Sequence, residues 1–362
     1  MTPRGVGPSS TGPGPMPGTD PRESARMVMG ECHALPFLPE LPDRGPGADQ
    51  IGRTLALLAD LPVDVSPRGW RLADSPGRLA RRAADFLDRD ADALEEADER
   101  ARDPEGDPAT DSRRLQVRVV GPWSLAAGVE LPGGFPVLSD RGARRDLAAS
   151  LAEGASARAV RLAGRIGAGA RILLDEPLLW HVAAGTVRSP SRLDPIAAVP
   201  PDQLALSLCR FADALRDAGA VEVLIRLPVT SDPGAPPVWE VVSDPPRGET
   251  PLDGVCLAAA PLHEVRSHAA LDAAGTVLGD GGILHLEGLP GGGPPPRTVA
   301  EAEDTAVGLL ALLDRLCAPR YSSLGRVVLT PTSEETATGD DRAAVALRGA
   351  RLVAETTPRV AE

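Results

Sequence analysis

The stretch ILLDEPLLW, residues 172–180, decides how the rest of the chain is read. Three aliphatic residues, Ile172 to Leu174, run into two carboxylates, Asp175 and Glu176, and Pro177 then breaks the run before more apolar residues follow. A short apolar run bounded by turn formers reads as a strand buried on both faces, the pattern of a parallel sheet. Successive side chains on a strand point to opposite sides. One carboxylate can therefore face a site at the strand end while the other caps or pairs outside. The plainer alternative is two solvated acids at a turn.

Similar runs recur along the chain, separated by stretches with helical spacing. They are PVDVS (62–66), LQVRVV (115–120), RILLD (171–175), VEVLIRL (221–227), GVCLA (254–258), GILHLEG (282–288) and RVVLT (326–330). The Gly-rich STGPGPMPG (10–18) supplies an irregular first strand. Helices are expected over 75–101, 139–166, 201–219, 298–317 and 340–355, with Ser75-Pro76 suited to a helix start and Gly219 to a helix end. Strands alternating with helices imply a parallel sheet with crossover helices, and about eight such units make a (β/α)8 barrel. The expectation is one α/β domain over residues 1–362, a TIM barrel with parallel strands and outer helices, frayed at about 1–9 and 357–362. Residues 102–112 read as a surface loop, and the Pro-rich stretch after residue 227 as a loop or a short helix.

Composition narrows the function. Hydrophobic residues make up 42% of the chain and aromatics only 2%, so the core must be mostly Leu, Val and Ala. There is no lysine or asparagine; all 38 basic residues are arginine, and the net charge is -13. That acidity argues against a general nucleic-acid binder, which needs a positive face. No run of about 18 apolar residues occurs to span a membrane, and no signal pattern opens the chain; a cytoplasmic location is expected. Cys32, Cys209, Cys256 and Cys317 are far apart and read as reduced thiols.

In a barrel, chemistry sits just after the strands. The candidates are Gly12 to Gly18, Gly121 to Ser124, Asp175-Glu176-Pro177, Arg226-Leu227-Pro228, Ala258 to Pro261, Glu287-Gly288 and Thr332-Ser333-Glu334. An inward Asp175 walled by apolar groups suits an ammonium group or a general base. Trp123 offers a flat wall for a planar ligand, or simply a core indole. The histidines (His33, His181, His263, His268, His285) are scattered, and His285 with Glu287 gives at most a two-ligand fragment, short of what zinc needs. Dinucleotide, phosphate-loop and nucleophile-elbow motifs are absent.

Several motifs together resemble a known family. STGPGPMPGTDPRESARMVMGE resembles the TGIGSxPGTDPxEA opening of actinobacterial proteins related to the C-terminal domain of cobalamin-independent methionine synthase. LPFLPELPDRGPGADQIGRT (35–54) continues the likeness, GPWSLAA (121–127) resembles the family's GPxT/S corner, LLDEP its DEP motif, and VVLTPTSEE its VxxTPxCG strand. The resemblance spans nearly the whole chain and implies a (β/α)8 fold shared with uroporphyrinogen decarboxylase.

It also implies methyl transfer from a methyl-folate to a homocysteine thiol held on zinc. Asp175 would then bind the substrate amine, with Gly12, Trp123, Ser124, Glu176 and Arg226 around the pocket. The zinc ligands are not carried over: the expected positions read Arg226, Pro228, Ala258 and Ser333. The expectation is therefore a methionine-synthase-like protein with an amino-acid or folate-like ligand and a degenerate zinc site. The alternatives are a barrel with only a ligand- or partner-binding role, and a cofactor-free decarboxylase of the uroporphyrinogen type.

Overall fold

Ile172, Leu173 and Leu174 form a strand, extended by their neighbours over Gly169–Asp175. The computed structural model describes residues 7–102, 113–191, 193–228, 238–263 and 268–361. Among them run β1 (Ser9–Ser10), β2 (Val63–Ser66), β3 (Gly69–Leu72), β4 (Arg114–Val120), β5 (Gly169–Asp175), β6 (Glu222–Arg226), β7 (Gly254–Ala258), β8 (Ile283–Glu287) and β9 (Val327–Thr330). Seven form one parallel sheet in the order β1-β9-β8-β7-β6-β5-β4. Neighbours from β4 to β9 are consecutive in sequence, while β1 crosses back to pair with β9, Ser9 opposite Val328 and Ser10 opposite Leu329. The sheet curls, helices surround it, and the fold is TIM-barrel-like.

Between the two edges of this sheet runs the extended segment 36–40. Leu38 N–H donates to the Gln116 carbonyl of β4 at 3.0 Å and Gln116 N–H to the Pro36 carbonyl at 2.8 Å. On its other side Glu40 N–H donates to the Gly14 carbonyl at 2.9 Å, just beyond β1. Both contacts are isolated parallel bridges. Three prolines, Pro36, Pro39 and Pro42, lack the N–H that would lengthen the ladder.

The expected barrel strand at 62–66 needs correcting. Val63–Ser66 pairs antiparallel with Gly69–Leu72 as a separate two-stranded hairpin, outside the seven-stranded sheet. Its alternating β-branched pattern serves a two-stranded ribbon as well as a barrel stave, so periodicity cannot tell them apart. The five expected helices are present as Arg78–Ala101, Arg141–Arg165, Pro201–Asp217, Val299–Arg315 and Asp340–Ala361. Residues 357–361, expected to fray, are the last turn of that final helix. Further helices were not expected, among them Pro21–Glu31, capped by Asp20; Gln50–Leu55, capped by Asp49; Pro122–Gly128; Leu179–Ala184; and His268–Gly279. In the Pro-rich stretch Glu240–Ser243 forms a short helix and residues 229–237 lie outside the described residues, as do 103–112 of the expected surface loop.

The inner face of the sheet carries polar layers above and below an apolar one. Leu173, Leu224 and Cys256 pack together in a small cluster with Ile283. Toward the strand starts, Glu222 pairs with Arg171 at 2.5 Å and Arg114 at 3.2 Å. Toward the strand ends lie the groups described next. No described helix is long and apolar enough to cross a membrane.

Candidate functional site at the strand ends

Asp175 is the last residue of β5, opposite Arg226 of β6 in register, and is only 2% exposed. Three groups hold its carboxylate. Gln50 donates from Nε2 to Oδ2 at 2.7 Å, Arg226 from Nη1 to Oδ1 at 3.2 Å, and Arg118 Nη1 stands 3.5 Å from Oδ2. Gln50 opens the helix Gln50–Leu55, so that short helix delivers an amide to the mouth. Arg118 in turn grips Glu40 with two donors, Nε to Oε1 at 3.0 Å and Nη2 to Oε2 at 2.8 Å. Forked pairs of this kind are the stronger arginine–carboxylate contacts.

The network continues across the mouth. Arg226 Nε donates to Glu287 Oε2 at 2.6 Å, and Ser333 Oγ donates to Glu287 Oε1 at 3.2 Å. Glu40, Arg118, Asp175, Arg226, Glu287 and Ser333 therefore form one connected chain of contacts. Burial works against the charge on Arg118 and on Arg226, but the neighbouring carboxylates outweigh it and raise both guanidinium pKa values. Both stay cationic.

Glu176 points the other way. Fully buried, it accepts from Trp123 N–H at 3.0 Å and from Ser124 N–H at 2.7 Å, closing the first turn of the helix Pro122–Gly128. Gly121 lacks a Cβ because one there would sit 2.3 Å from Glu176 Oε1. Burial pushes the Glu176 carboxyl up to about 7, against the pull of these hydrogen bonds. Ser124 Oγ accepts from Leu178 N–H at 3.0 Å, tying the turn after β5 to the turn after β4. Trp123 is 4% exposed, with the Arg144 guanidinium 4.7 Å above its ring. Among the described residues its indole N–H has no partner.

Of the sequence-derived site residues, Asp175 and Arg226 are in direct contact. Glu176, Trp123 and Ser124 form a second, buried cluster behind them. Gly12 lies apart on the segment after β1: a Cβ would stand 2.2 Å from the Phe37 ring, and its carbonyl accepts from Gln116 Nε2 at 3.3 Å. Pro228 offers its carbonyl to Trp180 Nε1 at 2.9 Å, and Ala258 ends β7 opposite Glu287.

Arg118, Glu40 and Gln50 escaped the sequence reading, and Glu287 appeared there only as a strand-end residue and a metal fragment. Arg118 had a signal: a lone charge inside the apolar run LQVRVV has to face something polar. Glu40 lies in irregular chain and Gln50 opens a six-residue helix, with nothing local to mark either for the site.

His285, on β8 one layer beneath the mouth, is fully buried, and among the described residues neither ring nitrogen has a partner. Burial, reinforced by Arg171 and Arg226, pushes it down to about 3, so it stays neutral. Its register partner Cys256 is equally buried, and burial raises its thiol pKa. Among the described residues no three His, Cys, Asp or Glu side chains converge as a metal site.

No protein-family model and no curated protein matches this chain. Solved structures do. A methyltransferase from Methanosarcina mazei is similar with TM-score 0.50 at 14% identity, over 97% of this chain and 94% of that one. A B12-independent methionine synthase from Shewanella sp. W3-18-1, in complex with selenomethionine, is similar with TM-score 0.45 at 13% identity, over 76% of this chain and 67% of that one. A Cellulomonas fimi endo-beta-1,4-mannanase double mutant gives TM-score 0.46 at 12% identity, over 97% and 71%. At these identities the likeness concerns the fold alone.

Proposed function

We propose that this chain is a methyltransferase-like barrel of the methionine-synthase kind whose mouth binds a small amino acid around Asp175. Counting segment 36–40 as a stave between β1 and β4 brings the total to eight, the (β/α)8 arrangement in which strand ends carry the site. One observation carries the reading: a carboxylate at a strand end is sunk among two guanidiniums and an amide, with Arg226 the more exposed partner, its side chain 26% exposed against 3% for Asp175. A ligand ammonium reaches Asp175 by displacing one of these partners. Gln50 is uncharged and half-buried, so it yields at the least electrostatic cost.

The residues at the positions expected to hold zinc do not fit the metal. Arg226 is a cation, the Pro228 and Ala258 side chains have no ligating atom, and Ser333 donates its proton to Glu287. Cys256 lies a layer deeper with its thiol protonated. No step through zinc follows from this donor set. Ligand binding is therefore the function the geometry supports best. Methyl transfer to a thiol is the second reading. Arg226 favours it, since a nearby guanidinium stabilises a thiolate, and a free thiol of pKa about 8.5 is otherwise mostly protonated at neutral pH.

Titration calorimetry of the purified chain with L-homocysteine, L-methionine and a panel of other L-amino acids tests this, alongside metal analysis. The expected result is an amino acid that binds without added zinc to protein lacking stoichiometric zinc. Stoichiometric zinc, or no binding by any member of the panel, overturns the reading. Asp175→Asn is expected to lower the affinity of whichever amino acid binds by about 2 kcal/mol, the scale of losing a charged hydrogen-bond partner.

A further inference from the structure

Arg226 holds more hydrogen-bonding capacity than its neighbours use. A guanidinium carries five N–H donors in a rigid fork. Nε and Nη2 approach the same oxygen of Glu287, both at 2.6 Å, and Nη1 reaches Asp175 at 3.2 Å. Those contacts engage at most three donors, and among the described residues the others have no partner. The side chain is 26% exposed, while Asp175 and Glu287 are 3% and 9% exposed. The free donors thus belong to the most exposed of these three side chains.

Glu287 is placed to give ground without being stranded. Its Oε1 already accepts from Ser333, while only Oε2 meets Arg226. If an incoming acid takes the outer donors of Arg226, Glu287 retains a hydrogen bond and Arg226 retains Asp175. Planar carboxylates are what a guanidinium fork pairs with best, through two parallel N–H···O contacts. A neutral side chain placed there would leave those donors desolvated and unpaired, which disfavours it.

We infer that the amino acid taken at this mouth carries a second acid group on its side chain, and that Arg226 is the residue that selects for it. The inference rests on the reading that an amino acid binds near Asp175, and adds the side-chain chemistry to it. Asp175 would face the ammonium and Arg226 the distal carboxylate, two opposite charges on adjacent strands matching two of the ligand's three charges.

Glutamate and glutamine differ only at the group in question, so calorimetry with these two probes isolates it. L-Glutamate is expected to bind at least about tenfold more tightly than L-glutamine, as expected when a charged hydrogen bond is gained. R226Q is expected to bring the two affinities to within a few-fold of each other. E287Q, which removes the competing carboxylate, is expected to tighten glutamate a few-fold. Equal binding of the two probes by the wild-type chain overturns the inference, and so does an R226Q variant that weakens both alike or an E287Q variant that leaves glutamate unchanged or weaker. Thermal melts of both variants establish that they are folded. If homocysteine or methionine binds and glutamate does not, the inference falls and the broader reading stands. If no amino acid binds, both fall.

Discussion

At the scale of single residues, the two carboxylates of DEP have opposite fates although they are adjacent. Asp175 sits among two guanidiniums, while Glu176 is buried with only two backbone N–H groups and Ser124 for company. The Glu176 carboxyl lies raised from 4.5 to about 7 in the folded protein. Between those values the folded chain holds a proton that the unfolded chain has released. The stability Glu176 contributes is therefore full below the window and is lost as pH rises through it. E176Q cannot ionise and removes that slope. Urea unfolding at about pH 5 and about pH 8 should show wild-type stability falling relative to E176Q as pH rises. A difference that stays constant between the two conditions would show that Glu176 does not change its protonation there.

At the scale of elements, the site depends on a short helix that local sequence hardly announces. Gln50–Leu55 brings Gln50 to Asp175, and it is anchored from behind by Asp90 on the helix Arg78–Ala101. Asp90 accepts from Arg53 at 2.6 Å and from Arg44 at 2.7 Å, all three side chains being at least nine-tenths buried. Asp90→Ala leaves two buried guanidiniums without their shared counter-ion and is expected to destabilise the chain by about 3–5 kcal/mol. Chemical denaturation at neutral pH measures this; a loss near zero would show that the arginines find other partners.

The same elements show what could be read from sequence and what could not. The apolar runs of β4 to β9 declare themselves because both faces of each strand are buried, and the five long helices declare themselves by their spacing and caps. The extended segment 36–40 does not. Three prolines in seven residues read as loop, and its pairing comes from partners about eighty and about twenty-five residues away, beyond any local window. Residues 62–66 read as a barrel strand for the converse reason, since they have the local pattern without the sheet partners. The places of Asp175 and Arg226 were legible because each closes an apolar run and so ends a strand. Glu40 and Gln50 were not, because only the tertiary fold carries them there.

At the scale of the whole molecule, the two ends of the chain are fastened to each other. Thr330 Oγ1 donates to the Thr11 carbonyl at 2.9 Å, and Thr336 Oγ1 to the Pro15 carbonyl at 2.7 Å. Glu31 binds Arg348 at 2.8 Å and Arg351 at 3.0 Å, drawing the helix Pro21–Glu31 against Asp340–Ala361. Residues Leu347, Ala350 and Val353 of that last helix are fully buried. A chain stopped after Gly339 uncovers this apolar face and is expected to lose its cooperative melt. Circular dichroism on heating reads this directly, and a sharp transition near the wild-type temperature would show that the sheet closes without the helix.

The pairing of β1 with β9 has a consequence for how the protein comes into being. While β9 is still unmade on the ribosome, β1 has no partner on that side, and the growing sheet is an open arc with a bare edge of N–H and C=O groups. Contacts of such long sequence separation form late and slowly. Everything made between β1 and β9 must therefore stay unaggregated with that edge bare until β9 arrives to cover it.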